Sequence, residues 1–155
     1  MKRSSWDSYF MRIVQQVATR STCSRRQVGA IAVRNHRILA TGYNGAPGGL
    51  KHCEETGCLR EKMNIPSGER HEICRALHAE QNLILPAATG SLDINGADIY
   101  CTTHPCVICA KLLIGCYVKK IYYLDEYCDP LAKEMLQEAG IETQRLQEIH
   151  PGEFL

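Results

Sequence analysis

HAEQNLILPAA at residues 78–88, DIYCT at 98–102 and PCVICAKLLIG at 105–115 decide how this chain is read. The first lies in a helix predicted over 75–88, with His78 and Glu80 near its start. The second reads as a strand, and Pro105 suits the first turn of a further helix that runs to about Gly115. Cys106 and Cys109 stand three apart near that helix's start, so they share a face, and the helix dipole favours their ionised forms. His78 supplies one imidazole and the cysteines two thiolates. That makes three ligands for Zn²⁺ and leaves a fourth position for water, the arrangement of a catalytic site. Two thiolates also balance the ion's double charge. Glu80, two residues from His78, is free to work on that water instead of binding the metal. A structural zinc knuckle, or buried cysteines without metal, is the plainer reading of the same residues. Glu80 separates them, because a structural site has no use for it.

Outward from this centre, residues 6–18 carry Trp6, Phe10, Ile13, Val14 and Val17 at a helical period. Residues 28–33 (VGAIAV) and 38–43 read as two strands joined by a turn at 34–37, a hairpin. Residues 44–70, rich in Gly and Pro, look irregular, and a loop of that length is usually functional or held by something. A strand is predicted over 118–124, an amphipathic helix over 131–139 ended by Gly140, and an edge strand over 141–146. Helices alternating with strands after an opening hairpin indicate an α/β three-layer domain with a mixed sheet.

The 155 residues fit one domain, 1–155, large enough to bury a core. With 45% hydrophobic and 23% charged residues the composition is that of a soluble globular protein. No apolar run approaches a membrane span, and residues 1–16 contain no uninterrupted apolar stretch of the kind a secretory signal needs, so a cytoplasmic location is expected. The net charge is +1 and the isoelectric point about 7.6. That argues against a basic face for polymeric nucleic acid, which calls for a domain pI above roughly 9. Nine cysteines, an odd number without an export signal, point to metal more than to disulfides.

His78-Ala79-Glu80 followed by Pro105-Cys106-Val107-Ile108-Cys109 matches the signature of zinc deaminases. Ser21-Thr22-Cys23, Val28-Gly29-Ala30, Gly42-Tyr43-Asn44-Gly45, His52-Cys53 and Cys109-Ala110-Lys111 extend the match. With them the chain resembles the deoxycytidylate (dCMP) deaminases of the cytidine deaminase-like superfamily from about residue 5 to residue 146. The zinc motif marks the superfamily; the GYNG stretch leading to His-Cys marks the dCMP branch. The resemblance implies a three-layer α-β-α fold with a mixed, mostly five-stranded sheet. It also implies hydrolysis of dCMP to dUMP and ammonia, feeding thymidylate synthesis. In that chemistry a zinc-activated hydroxide attacks C4 of cytosine while Glu80 protonates N3 and then serves the departing amine.

Further site residues follow from the resemblance. Asn44 is expected on the substrate's sugar or phosphate, and the backbone near Thr102 and Thr103 on the base. Asn44 also suits a simple turn with positive φ. Tyr123 is expected against the nucleotide, or else in the core. Arg25 and Arg26 are candidates for the phosphate, Arg26 first, against the alternative of solvated surface arginines. Cys23 and Cys53 stand where similar enzymes carry ligands of a structural zinc. His71 and Cys74 could complete its four ligands, with Cys58 competing for one place. Cys101, Cys116 and Cys128 read as unliganded buried thiols. Many members of the family are hexamers activated by dCTP and inhibited by dTTP, effectors that come with Mg²⁺, and the NGAPGG loop could admit a triphosphate. Pro86 and Thr89 depart from the regulated pattern. Three other readings remain beside this one: a deaminase of another base or nucleoside, a zinc-stabilised binding module, and a nucleotide-responsive regulatory subunit.

Overall fold

The structure, a computed structural model, describes residues 3–127 and 129–147. Cys128 and both ends of the expected 1–155 domain lie outside these residues. Helix α1 spans Trp6–Ala18 and is capped by the Ser5 hydroxyl, which accepts from the Ser8 N–H. Strands β1 (Gly29–Arg34) and β2 (Arg37–Tyr43) form the expected hairpin. Asn35 and His36 turn it with φ of 52° and 57°, the left-handed pair that matches the twist of a tight hairpin. The 44–70 stretch is less irregular than expected, holding two one-turn helices, α2 (Cys53–Thr56) and α3 (Leu59–Lys62).

Helix α4 covers Ala79–Ala88, strand β3 Asp98–Thr103 and helix α5 Val107–Gly115. Strand β4 (Lys120–Asp125), helix α6 (Pro130–Glu138) and strand β5 (Glu142–Arg145) complete the order. Two predicted helix starts were early. Helix α4 begins at residue 79, not 75, because Leu77 exchanges backbone hydrogen bonds with Gly45, at 2.9 and 3.1 Å, which ties Leu77 into a β-bridge. Helix α5 begins at residue 107, with Cys106 as its extended N-cap and Pro105 just outside.

The sheet runs β2-β1-β3-β4-β5, with β1 antiparallel to both neighbours and β3, β4 and β5 mutually parallel. It is the expected mixed five-stranded sheet, and β5 lies at its edge. Side chains alternate between its two faces. Ile31, Val33, Tyr100 and Leu124 pack under Phe10, Met11 and Val14 of α1. Ala30, Ala32, Ile99, Cys101 and Ile121 pack on the other face with residues of α4, α5 and α6. Three layers result. No helix among the described residues is long and apolar enough to cross a membrane.

Because β1 opposes both β2 and β3, the carboxyl ends of β2 and β3 lie at the same edge of the sheet. There Tyr43-Asn44-Gly45 meets Thr103-His104-Pro105. A close approach presses α4 onto β2: a Cβ on Gly42 would lie 2.2 Å from the Ala79 carbonyl oxygen and 2.5 Å from the Leu83 nitrogen. Both are backbone atoms, so no side chain can yield. Gly42→Ala should therefore cost about 1–3 kcal/mol, the usual range for overpacking. Thermal denaturation should show a Tm lower by about 2–4 °C for each kcal/mol lost, and an unchanged Tm would refute this tight fit.

Candidate metal and nucleotide site

His78 is the N-cap of α4 and Cys106 the N-cap of α5; Glu80 and Cys109 lie within the first turns of these helices. Two helix amino ends, each with partial positive charge, thus converge on the same point. The His78 N–H is satisfied by the Gln81 side chain at 2.7 Å, and Asn82 Nδ2 donates to the Tyr43 carbonyl at 2.7 Å, tying α4 to the end of β2. Asp129 does the corresponding work for α5. Its Oδ2 accepts from the Val107 N–H at 2.8 Å while its Oδ1 caps α6 by accepting from Ala132 at 3.1 Å.

His78 Nδ1 lies 3.5 Å from Cys106 Sγ and 3.4 Å from Cys109 Sγ, and all three ligand atoms fall within 4.8 Å of one another. A tetrahedral zinc, with bonds of about 2.0–2.1 Å to nitrogen and 2.3 Å to sulfur, sets N and S about 3.5 Å apart. The triangle fits that ion. A hydrogen bond from Cys109, and His78 beside it, hold the Cys106 thiol down at about 4. Cys109 is raised because it donates to Cys106 and because it is buried. Its proton is the one a cation must displace, so binding releases it. Burial lowers the pKa of His78, but the Cys106 thiolate outweighs it and leaves the imidazole raised. Glu80 is 4% exposed, and burial raises its carboxyl.

One cavity joins these groups to Arg25, Arg26, Asn44, Arg60, His71 and Tyr127. Asn44 is not in a positive-φ turn. Its Oδ1 accepts from the Val28 N–H at 2.9 Å and its Nδ2 donates to the Arg26 carbonyl at 2.8 Å, clamping the entry to β1 at the cavity wall. Thr103 lines the cavity with a buried hydroxyl that has no partner. Thr102 does not line it; its hydroxyl accepts from the Gly29 N–H at 3.2 Å. Tyr123 is also absent from the wall. Its hydroxyl donates to Glu126 and its ring packs edge-on against His104, which does line the cavity, so its alternative reading as a core residue fits. Arg26 faces the cavity but pairs with Asp125 at 3.3 Å.

The expected second ligand set divides. Cys23, Cys53, Cys58 and Cys74 all line the cavity, and burial raises the Cys53 thiol, followed by the charges of Cys74, Cys23 and Cys58. His71 lines the same cavity and hydrogen-bonds Tyr127. Arg70, at φ 53°, turns the chain into a short 3₁₀ helix that sets the His71 ring edge-on to His78 at 4.7 Å. Among the described residues, His78, Cys106 and Cys109 form the one group with three ligand atoms within 4.8 Å. Cys101 is fully buried and Cys116 half-buried, both without disulfides.

Two wall residues, Tyr127 and Arg60, carried no readable signal. The Tyr127 hydroxyl spends its one proton on the Gly68 carbonyl at 2.9 Å, so His71 Nε2 must donate to it across 3.1 Å. His71 Nδ1 is then an acceptor, buried and without a partner. Burial lowers the pKa of this imidazole and keeps it neutral. Arg60, 8% exposed, is the second.

Residues 4–125 match the family described as the cytidine and deoxycytidylate deaminase zinc-binding region, and the chain belongs to that family of zinc-dependent deaminases. It is 39% identical over 144 residues to the deoxycytidylate deaminase of Schizosaccharomyces pombe, covering 92% of this chain and 44% of that protein. It is 38% identical over 148 residues to ComE operon protein 2 of Bacillus subtilis, covering 95% of this chain and 74% of that one. The dCMP deaminase of cyanophage S-TIM5, solved in complex with dCMP and dUMP, superposes with a TM-score of 0.77 at 33% identity. That match covers 94% of this chain and 100% of the phage chain.

Proposed function

We propose that the chain deaminates dCMP hydrolytically, consuming water and releasing dUMP and ammonia. The observation that carries this reading is the His78, Cys106 and Cys109 triangle with the Glu80 carboxyl buried beside it on α4. Likeness to deoxycytidylate deaminases at 33–39% identity supports the choice of nucleotide. Bound zinc supplies Lewis acidity that lowers the pKa of a water in its open position to about 7. Glu80 takes the proton that water releases and presents one to N3 of the cytosine. Once the water oxygen has bonded to C4, Glu80 carries its remaining proton to the 4-amino group, so that the C4–N bond breaks, C4 keeps the oxygen as a carbonyl and ammonia leaves. His78, Cys106 and Cys109 hold the reaction centre at the helix ends. Thr103 and Asn44 stand along the wall for base and sugar.

A second, structural zinc would be held by Cys23, Cys53, Cys58 and Cys74, closing a four-thiolate site that ties the 44–70 excursion down. The gathering of these four thiols on one wall favours it. Metal analysis should then find two zinc equivalents per chain, with Cys106→Ser keeping one; a single equivalent in the wild type would remove the second site. Control by dCTP and dTTP belongs to the same reading. A Cβ at Gly48 or Gly49 would meet nothing within 4 Å, which leaves backbone open to a phosphate chain, and flat titrations would dispose of it.

Glu80→Gln should keep fold and zinc yet lower kcat for dCMP by about 10²–10⁴-fold, the usual share of a general acid–base group. Loss of cytosine absorbance with release of ammonia reads this directly. Turnover at the wild-type rate would refute the role of Glu80. Wild-type protein, loaded with zinc, that leaves dCMP untouched would refute the substrate.

A further inference from the structure

Arg60 is a buried cation in search of an anion. It comes from α3, is 8% exposed and lines the cavity that holds His78 and Glu80. Its Nη2 donates to the Pro66 carbonyl at 3.3 Å, while its Nε is buried with no partner. Among the described residues no carboxylate lies within 4.0 Å of it. Beside it on the same wall, Arg25 has a buried Nη1 without a partner and reaches Glu61 only at 4.0 Å. Burying a guanidinium without a counter-charge is costly, and structures keep such a group where a partner arrives. Arg26 differs on each count, being paired with Asp125 and 41% exposed at its side chain.

We infer that Arg60, with Arg25 beside it, recognises the 5′-phosphate of the substrate, and that it makes the enzyme select a nucleotide over a nucleoside. The inference rests on the nucleotide deaminase reading above. A phosphate has the charge and the acceptor oxygens that a guanidinium fork matches. A cytosine seated against the His78, Cys106 and Cys109 triangle carries its phosphate away from the metal, towards the rest of the cavity wall. The other function open to Arg60 is to balance the ligand thiolates. In that case its loss would weaken zinc binding and affect nucleoside and nucleotide alike.

The test is steady-state kinetics of the zinc-loaded protein, Arg60→Gln and Arg60→Lys with dCMP and with deoxycytidine, alongside zinc content. Arg60→Gln should raise KM for dCMP about 10- to 100-fold, as loss of a charge-assisted contact does, and Arg60→Lys should fall between. Zinc content and kcat/KM for deoxycytidine should stay as in the wild type. An unchanged KM for dCMP, or equal losses on both substrates, would overturn the inference. A wild type inactive on dCMP would instead overturn the function beneath it. Should both variants fail to fold, a crystal structure of the wild type with dUMP decides. A phosphate oxygen about 3 Å from the Arg60 guanidinium supports the assignment, and a phosphate held by Arg26 alone refutes it.

Discussion

Three ligand atoms from two helix ends must stand about 3.5 Å apart, and most of the local architecture serves that spacing. His78 and Cys106 are both N-caps, each in extended backbone, so each side chain sits at the head of its helix. The heads meet because β1 runs against both β2 and β3 and brings their carboxyl ends to one edge. Gly42 lets α4 lie directly on β2, the Gly45–Leu77 pairing stops α4 from starting earlier, and Asp129 fixes the first turn of α5. A shift in any of these would move a ligand atom by a fraction of an ångström, enough to weaken a tetrahedral site.

Charge is distributed around the cavity in a matching way. The metal end holds the depressed thiol of Cys106 and the buried carboxyl of Glu80. The same cavity carries Arg25 and Arg60, each with a buried guanidinium nitrogen that has no partner. The lining also holds neutral donors and acceptors: the Asn44 amide, the Thr103 hydroxyl, and His71, whose Nε2 is committed to Tyr127. A ligand with a neutral base at one end and an anion at the other complements this polarity. On the reading proposed above, zinc would complete the metal end and a phosphate the arginines.

The metal centre was legible in the sequence because its geometry is local. His78 and Glu80 are two apart and Cys106 and Cys109 three apart, so covalent spacing and helix period nearly fix their relative placement. The mixed sheet followed from the hairpin and the alternation of elements. What stayed hidden depends on contacts between distant parts of the chain. The start of α4 is set by Leu77 pairing with Gly45, across a stretch in which no periodicity shows. His71 was grouped with the cysteines because H-x-x-C looks like a ligand pair. Its ring is turned instead towards Tyr127, 56 positions away, by a left-handed residue at Arg70. Arg60 could not be singled out from sequence, since an arginine in a one-turn helix reads as surface until its burial is seen. Tyr123 and Thr102 lie on strands that end at the site, yet their side chains bond to Glu126 and Gly29.

The most direct test of the metal centre is a crystal structure of the zinc-loaded protein with anomalous data collected at the zinc edge. The account predicts a zinc about 2.3 Å from Cys106 Sγ and Cys109 Sγ and about 2.0–2.1 Å from His78 Nδ1. Its fourth ligand should be a solvent oxygen, with the Glu80 carboxyl hydrogen-bonded to that oxygen and off the metal. A zinc whose fourth ligand is Glu80 or any other side chain would contradict it, as would a triangle that binds no zinc.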